Sequence, residues 1–204
     1  MRRCYLVRHA QTAWNFENRL QGHTDLSLDP TGRAQAERLG HAFAHHQIAS
    51  LTTSRLARSQ ETARAILAGN GHQVQVAVEP GLEEMHLGAW EGLTPREIDA
   101  RYNRAYTHWA RRSASIDIPG AETHAAFRAR VRGAAARVLA RCGDGEHIVV
   151  SHGGVIAALL ADWLDADYDA LLRRLRLDNA SITALDVSGD VPHVLWVNTD
   201  EHLA

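Results

Sequence analysis

Four short apolar runs, each ending in polar residues and each set off from the next by stretches of helical periodicity, constrain the fold of this chain more than any other feature. They cover residues 4–8, 48–53, 74–78 and 147–151. The first, Cys4-Tyr5-Leu6-Val7-Arg8, and the last, His147-Ile148-Val149-Val150-Ser151, are near-continuous, which suits strands buried in a parallel sheet. Helical patterns are read at 31–47, after the start signal Asp29-Pro30, at 56–68, at 95–112, at 122–141 and at 155–164. The Gly69-Asn70-Gly71 turn is expected to stop the second of these. The last part alternates at 181–187 and 191–197 around Ser188-Gly189-Asp190, the pattern of a β-hairpin. Strands separated by helices predict an α/β fold, mostly parallel with an antiparallel edge.

At 204 residues, 45% hydrophobic and 23% charged, the chain reads as one globular domain spanning 1–204. All 22 basic residues are Arg. The absence of Lys excludes reactions that need a P-loop, Schiff-base or kinase-type lysine. A net charge of -2 gives nucleic acid no basic stripe to meet. Two cysteines, Cys4 and Cys142, are too few for a disulfide framework, and no stretch approaches the roughly 18 apolar residues of a membrane span. With charge at Arg2 and Arg3, where a signal peptide needs an apolar run, a cytoplasmic location with no membrane partner is expected.

Ligands of such sheets bind beyond the carboxyl ends of the strands. The polar residues there are Arg8, His9, Gln11, Thr12 and Asn15 after the first strand, and Thr53, Ser54, Arg55 and Arg58 after the second. Glu83, Glu84 and His86 follow the third, and Ser151 and His152 the fourth. Two His, several Arg and a carboxylic acid on one rim make an electropositive pocket with a nucleophile, which is what phosphoryl transfer without a metal requires. Residues 82–120, holding Trp90, Trp109 and Pro119, read as a partial insertion that covers this rim.

The stretch Leu6-Val7-Arg8-His9-Ala10-Gln11-Thr12 resembles the signature of the histidine phosphatase, or phosphoglycerate-mutase-like, superfamily. Blocks at 53–62, 82–92 and 149–154 are similar to its later motifs in order. The resemblance implies a three-layer α/β/α sandwich and a set of roles. His9 would be the nucleophile that carries the phosphoryl group. Arg8, Arg58 and His152 would bind its equatorial oxygens, and Glu84 would be the acid that protonates the leaving oxygen. Asn15, Gln21, Gly22 and Gly153 would touch the phosphate or its ester. One departure is Ala10, where the family usually has Gly.

Two rival classes stand beside this reading. A zinc hydrolase could draw on His9, His86, His152 and Glu84, but permanent positive charges facing a cation site argue against any metal, and no cofactor is expected. A non-catalytic phosphate-binding module would not need the nucleophile and acid together. Within the family, the compact segment after Glu84, the missing Lys and Gly154 favour a phosphomonoesterase of small phosphate esters over a cofactor-dependent phosphoglycerate mutase. A homodimer is the assembly allowed for. His86 is open between lining the site and packing under Trp90, Trp14 and Trp90 between core and pocket wall, and Arg111-Arg112 between a solvated pair and a grip on an anionic tail.

Overall fold

The computed structural model describes residues 2–70, 74–112 and 116–204. Six strands form one sheet: β1 (Arg2–Arg8), β2 (Ile48–Thr53), β3 (Val76–Val78), β4 (Gly145–Ser151), β5 (Ile182–Asp186) and β6 (His193–Thr199). Their order is β3-β2-β4-β1-β5-β6. The first four pair in parallel, and β5 adds the antiparallel edge against β1 with β6 outside it. This is the three-layer α/β/α sandwich expected from the sequence.

Alternation along the strands divides the interior into two cores. Cys4 and Leu6 of β1 face α6 (His124–Arg141) and α7 (Gly153–Trp163) with Val149 of β4. Tyr5, Val7, Ile148 and Val150 face the other way, toward α2 (Pro30–Ala42) and α3 (Ala57–Asn70). After β1 the chain therefore goes to one face, and after the adjacent β4 to the opposite face. The diverging loops open a crevice between His9 and His152, the switch point at which such sheets hold ligands.

Several sequence readings are corrected. The helix expected to reach 47 ends at Ala42, because buried Asn70 at the end of α3 donates to the carbonyls of Phe43 and His46 and so holds a turn there. The expected helix over 95–112 is two: α4 (Pro95–Arg101), started by a Thr94/Glu97 capping box, and α5 (Ala105–Trp109). Between them Asn103 and Arg104 adopt φ of 48° and 61°, a left-handed turn no α-helix continues through. Asp99 caps the second piece by accepting from Thr107 N at 3.0 Å. Two further helices escaped the sequence reading: α1 (Ala13–Phe16), capped by Thr12, and α8 (Tyr168–Arg174), capped by Asp167. β3 begins at Val76 rather than 74, and α3 continues through Gly69 and Asn70, which were expected to form the turn that stops it; Gly71, the last residue of that turn, lies outside the described residues.

Candidate active site

The end of β1 is fastened to the end of β4: His9 N donates to Ser151 O at 2.9 Å, and Ser151 Oγ donates to Leu82 O at 2.8 Å. From there a cavity of about 370 Å³ opens, with Arg8, His9, Asn15, Arg58, Glu84 and Gly153 in its lining. Gln21 and Gly22 line it as well. Of the nine residues given roles by the resemblance, His152 alone is absent from this lining; of the other strand-end residues, Gln11, Thr12, Thr53, Ser54, Arg55, Glu83, His86 and Ser151 are absent too. His152 is fully buried behind His9, with the ring centroids 5.1 Å apart.

His9 is 3% exposed, and its Nδ1 lies 2.8 Å from Ala10 O. A carbonyl can only accept, so Nδ1 carries the proton and Nε2 keeps its lone pair. Burial, and after it the charges of Arg58 and Arg8, hold the His9 imidazole well below the usual histidine range. Burial and Arg58 do the same to His152. The Ser54 and Ser59 hydroxyls lie 2.9 and 3.3 Å from His152 Nε2, and its Nδ1 is buried and without a partner among the described residues. Ala10 causes no strain. Its φ is not left-handed, its N–H reaches Thr62 Oγ1 at 3.1 Å, and its methyl belongs to the α2/α3 core.

The two arginines are held by carbonyls. Arg58, completely buried, donates through Nη1 to Thr24 O at 2.9 Å and through Nη2 to Gly22 O at 2.8 Å. Arg8 donates through Nη1 to Leu177 O. In both, Nε is left without a partner among the described residues. Burial lowers the Arg58 guanidinium to about 10, which leaves it charged at neutral pH. The Gly22 loop is set by Glu91, which accepts from the N–H groups of His23 and Thr24 and from the Thr24 hydroxyl. Gly22 has φ of +52°, and a side chain there would collide with the Glu91 carboxylate.

Glu84 accepts from Gly154 N at 3.0 Å and from Met85 N at 2.9 Å. Its own carbonyl is gripped by Arg130 Nη2 at 2.7 Å and His23 Nε2 at 2.8 Å, neither of which stood out in the sequence. Neighbouring Glu83 turns elsewhere, to Gly81 N and Arg55. His86 does neither thing considered for it: its ring packs edge-on against His23. Trp90 is core, and Trp14 packs beneath Gly92 rather than in the cavity lining. Arg111 and Arg112 are exposed and outside the lining, whereas Arg19 is within it.

Asn15 Oδ1 accepts from Thr12 N–H and from Asn179 Nδ2, leaving its amide nitrogen as the free donor. Asn179 also donates to His9 O at 3.0 Å, a contact across 170 positions that no local pattern records. Among the described residues no group of three or more His, Cys, Asp or Glu is arranged to hold a metal ion. No helix of the described residues is long and apolar enough to cross a membrane.

Comparison with known proteins agrees with this geometry. The model of the histidine phosphatase superfamily (branch 1) matches residues 4–200. Phosphoglycerate mutase-like protein 4 of Arabidopsis thaliana is 33% identical over 200 residues, 93% of this chain and 85% of that protein. Glucosyl-3-phosphoglycerate phosphatase of Mycobacterium tuberculosis is 34% identical over 168 residues, covering 78% of this chain and 74% of its own length. The solved structure of Bacillus stearothermophilus YhfR superposes with a TM-score of 0.91 at 30% identity, covering 99% of each chain.

Proposed function

Because this chain belongs to the histidine phosphatase superfamily, branch 1, we propose that it is a metal-independent phosphomonoesterase of small phosphate esters, with His9 as its nucleophile. The observation that carries this reading is the state of His9: neutral, its Nδ1–H spent on Ala10 O, its Nε2 lone pair free in a pocket lined by two guanidinium groups. Nε2 attacks phosphorus as the ester P–O bond breaks, and Glu84 gives its proton to the departing oxygen. The guanidinium N–H groups of Arg8 and Arg58 that the carbonyls of Leu177, Thr24 and Gly22 do not occupy are the donors for the equatorial oxygens, and His152 stands behind His9. The Glu84 carboxylate then takes a proton from water, the hydroxide displaces His9, and inorganic phosphate leaves. Asn15 Nδ2, Gln21, Gly22 and Gly153 border the phosphoryl position.

Residues 82–120 act as the partial insertion of a single domain, bringing Glu84, Met85, Tyr106 and Trp109 to the cavity. Both cysteines are buried and unpaired, which suits the reducing cytoplasm. A homodimer fits this family form. Hydrolysis is favoured over mutase chemistry because Arg111 and Arg112, the cations a carboxylate anchor would use, stay out of the cavity lining.

The test is acid quenching with phosphorus-labelled ester. An acid-labile, base-stable phosphoenzyme forms on the intact chain and is absent in His9→Ala, whose turnover falls by several orders of magnitude. Prolonged chelation leaves activity unchanged. A tenth of the activity remaining in His9→Ala, or phosphoglycerate interconversion outpacing phosphate release, overturns the assignment.

A further inference from the structure

Part of the cavity lining is apolar. Tyr106 and Trp109 of α5 supply one set of these residues, and Tyr168 and Leu172 of α8, with Leu175 and Leu177 after it, another; Leu177 adjoins the phosphoryl end, where its carbonyl takes Arg8 Nη1. The α5 pair is braced from behind, since the fully buried Trp90 meets Trp109 edge-on at 6.0 Å and Tyr106 at 6.4 Å. The second set is anchored by Tyr168, whose ring lies 4.7 Å from that of His124 and under the Arg128 guanidinium.

The charges of the lining are equally informative. Arg8, Arg19 and Arg58 are its cations among the described residues. Arg8 and Arg58 are committed to the phosphoryl end. Arg19 is neutralised by Glu17 at 2.7 Å and Glu97 at 3.0 Å, and it also donates to Gly92 O. An ester with a second anion, a carboxylate or another phosphate, therefore finds no unspent cation in the recess. A sugar fares little better, because the six residues offer only two phenol hydroxyls and one indole N–H to replace the water around its hydroxyl groups.

We propose that this recess selects phosphomonoesters of uncharged alcohols with a bulky apolar or aromatic body, so that Trp109 and Leu172 set substrate preference. The inference rests on the phosphatase reading to place phosphorus at His9. It departs from any substrate carrying a carboxylate.

The experiment measures phosphate release from ethyl, n-butyl, n-hexyl and 2-phenylethyl phosphate, whose alkoxide leaving groups are matched, beside 3-phosphoglycerate. The expected result is a kcat/KM that climbs about threefold or more per added methylene until the recess is full. 2-Phenylethyl phosphate then exceeds ethyl phosphate by at least about tenfold, and 3-phosphoglycerate does no better than ethyl phosphate. Trp109→Gln and Leu172→Asn lower the ratio of 2-phenylethyl to ethyl turnover within the same preparation, a readout unaffected by a general loss of active enzyme. The inhibition constants of 2-phenylethylphosphonate and ethylphosphonate give the same comparison on the unaltered chain, with no chemical step. A flat series, equal phosphonate affinities, or 3-phosphoglycerate as the best ester overturns the proposal while leaving the phosphatase reading intact. Phosphonate affinities that follow size, with no phosphate released from any ester, would instead overturn the phosphatase reading and keep the apolar recess.

Discussion

As the proposed nucleophile, His9 must be unprotonated to attack, and its surroundings favour that form. Burial and two neighbouring guanidinium groups disfavour the imidazolium, while the Nδ1–H bond to Ala10 O fixes which nitrogen faces outward. Because the folded-state pKa lies well below the ordinary value of about 6.5, the neutral form persists as pH falls through that value. Phosphoenzyme formation from p-nitrophenyl phosphate, followed by rapid quench at saturating substrate, should thus stay level as pH falls from 7 through 6.5 and decline only at lower pH. A midpoint near 6.5 would show that His9 titrates as an exposed histidine. Glu84 has a separate signature. Glu84→Gln should slow alkyl phosphates by about a hundredfold or more, within the range general acids supply. p-Nitrophenyl phosphate, whose phenoxide leaves without a proton, should lose less than about tenfold. Equal losses would make Glu84 a structural residue.

Among the elements, the start of α7 is where helix and catalysis meet most closely. Gly154 N–H donates to Glu84, and a methyl at Gly154 would collide with that carboxylate. Gly154→Ala should cost about 1–3 kcal/mol of stability through overpacking. It should also depress alkyl phosphate turnover more than p-nitrophenyl phosphate turnover, since the acid is what moves; urea melts and the two assays check both parts. The β4 run, the turn at His152-Gly153-Gly154 and the helix after it were legible in the sequence, because a continuous apolar strand followed by glycines has few alternatives. Of the polar residues collected at the strand ends, Arg8, His9, Asn15, Arg58 and Glu84 reach the cavity, while the others turn into the loops and the core around it. The rest lacked local signal. α8 is seven residues with no long periodic face, although Asp167 at its start and Leu171, Leu172 and Leu175 along it were its readable marks. The split of α4 from α5 depends on a left-handed turn at Asn103 and Arg104, which side-chain periodicity does not record. The grip of Arg130 on the Glu84 loop joins residues 46 positions apart, beyond any local pattern.

At the scale of the whole molecule, the phosphate-binding crevice is an acid-sensitive element of an otherwise ordinary sandwich. Folding buries His9 and His152 in neutral form between two arginines, so both have folded-state pKa values well below the roughly 6.5 of the unfolded chain. Partly buried His124 and His202 are shifted the same way, chiefly by desolvation. A depressed histidine pKa means that the unfolded chain binds protons first. The stability these groups contribute is fully present above about pH 6.5 and is lost as pH falls below it, at up to about 1.4 kcal/mol per pH unit for each fully buried group. The carboxylates with lowered pKa values, such as Glu91 and Asp162, do not enter this window, because their unfolded-state titration lies near pH 4. As pH falls below 6.5 the two site histidines should therefore lower the unfolding free energy progressively. Urea denaturation at half-unit intervals across this range should show the unfolding free energy falling with a slope of about two protons or more. In His152→Gln, whose side chain does not titrate, the slope should shrink by about one proton even if the variant is less stable throughout. A free energy that stays level from pH 7 to 5 would mean that the two rings accept protons in the folded state as readily as in the unfolded chain, and the neutral nucleophile would go with it.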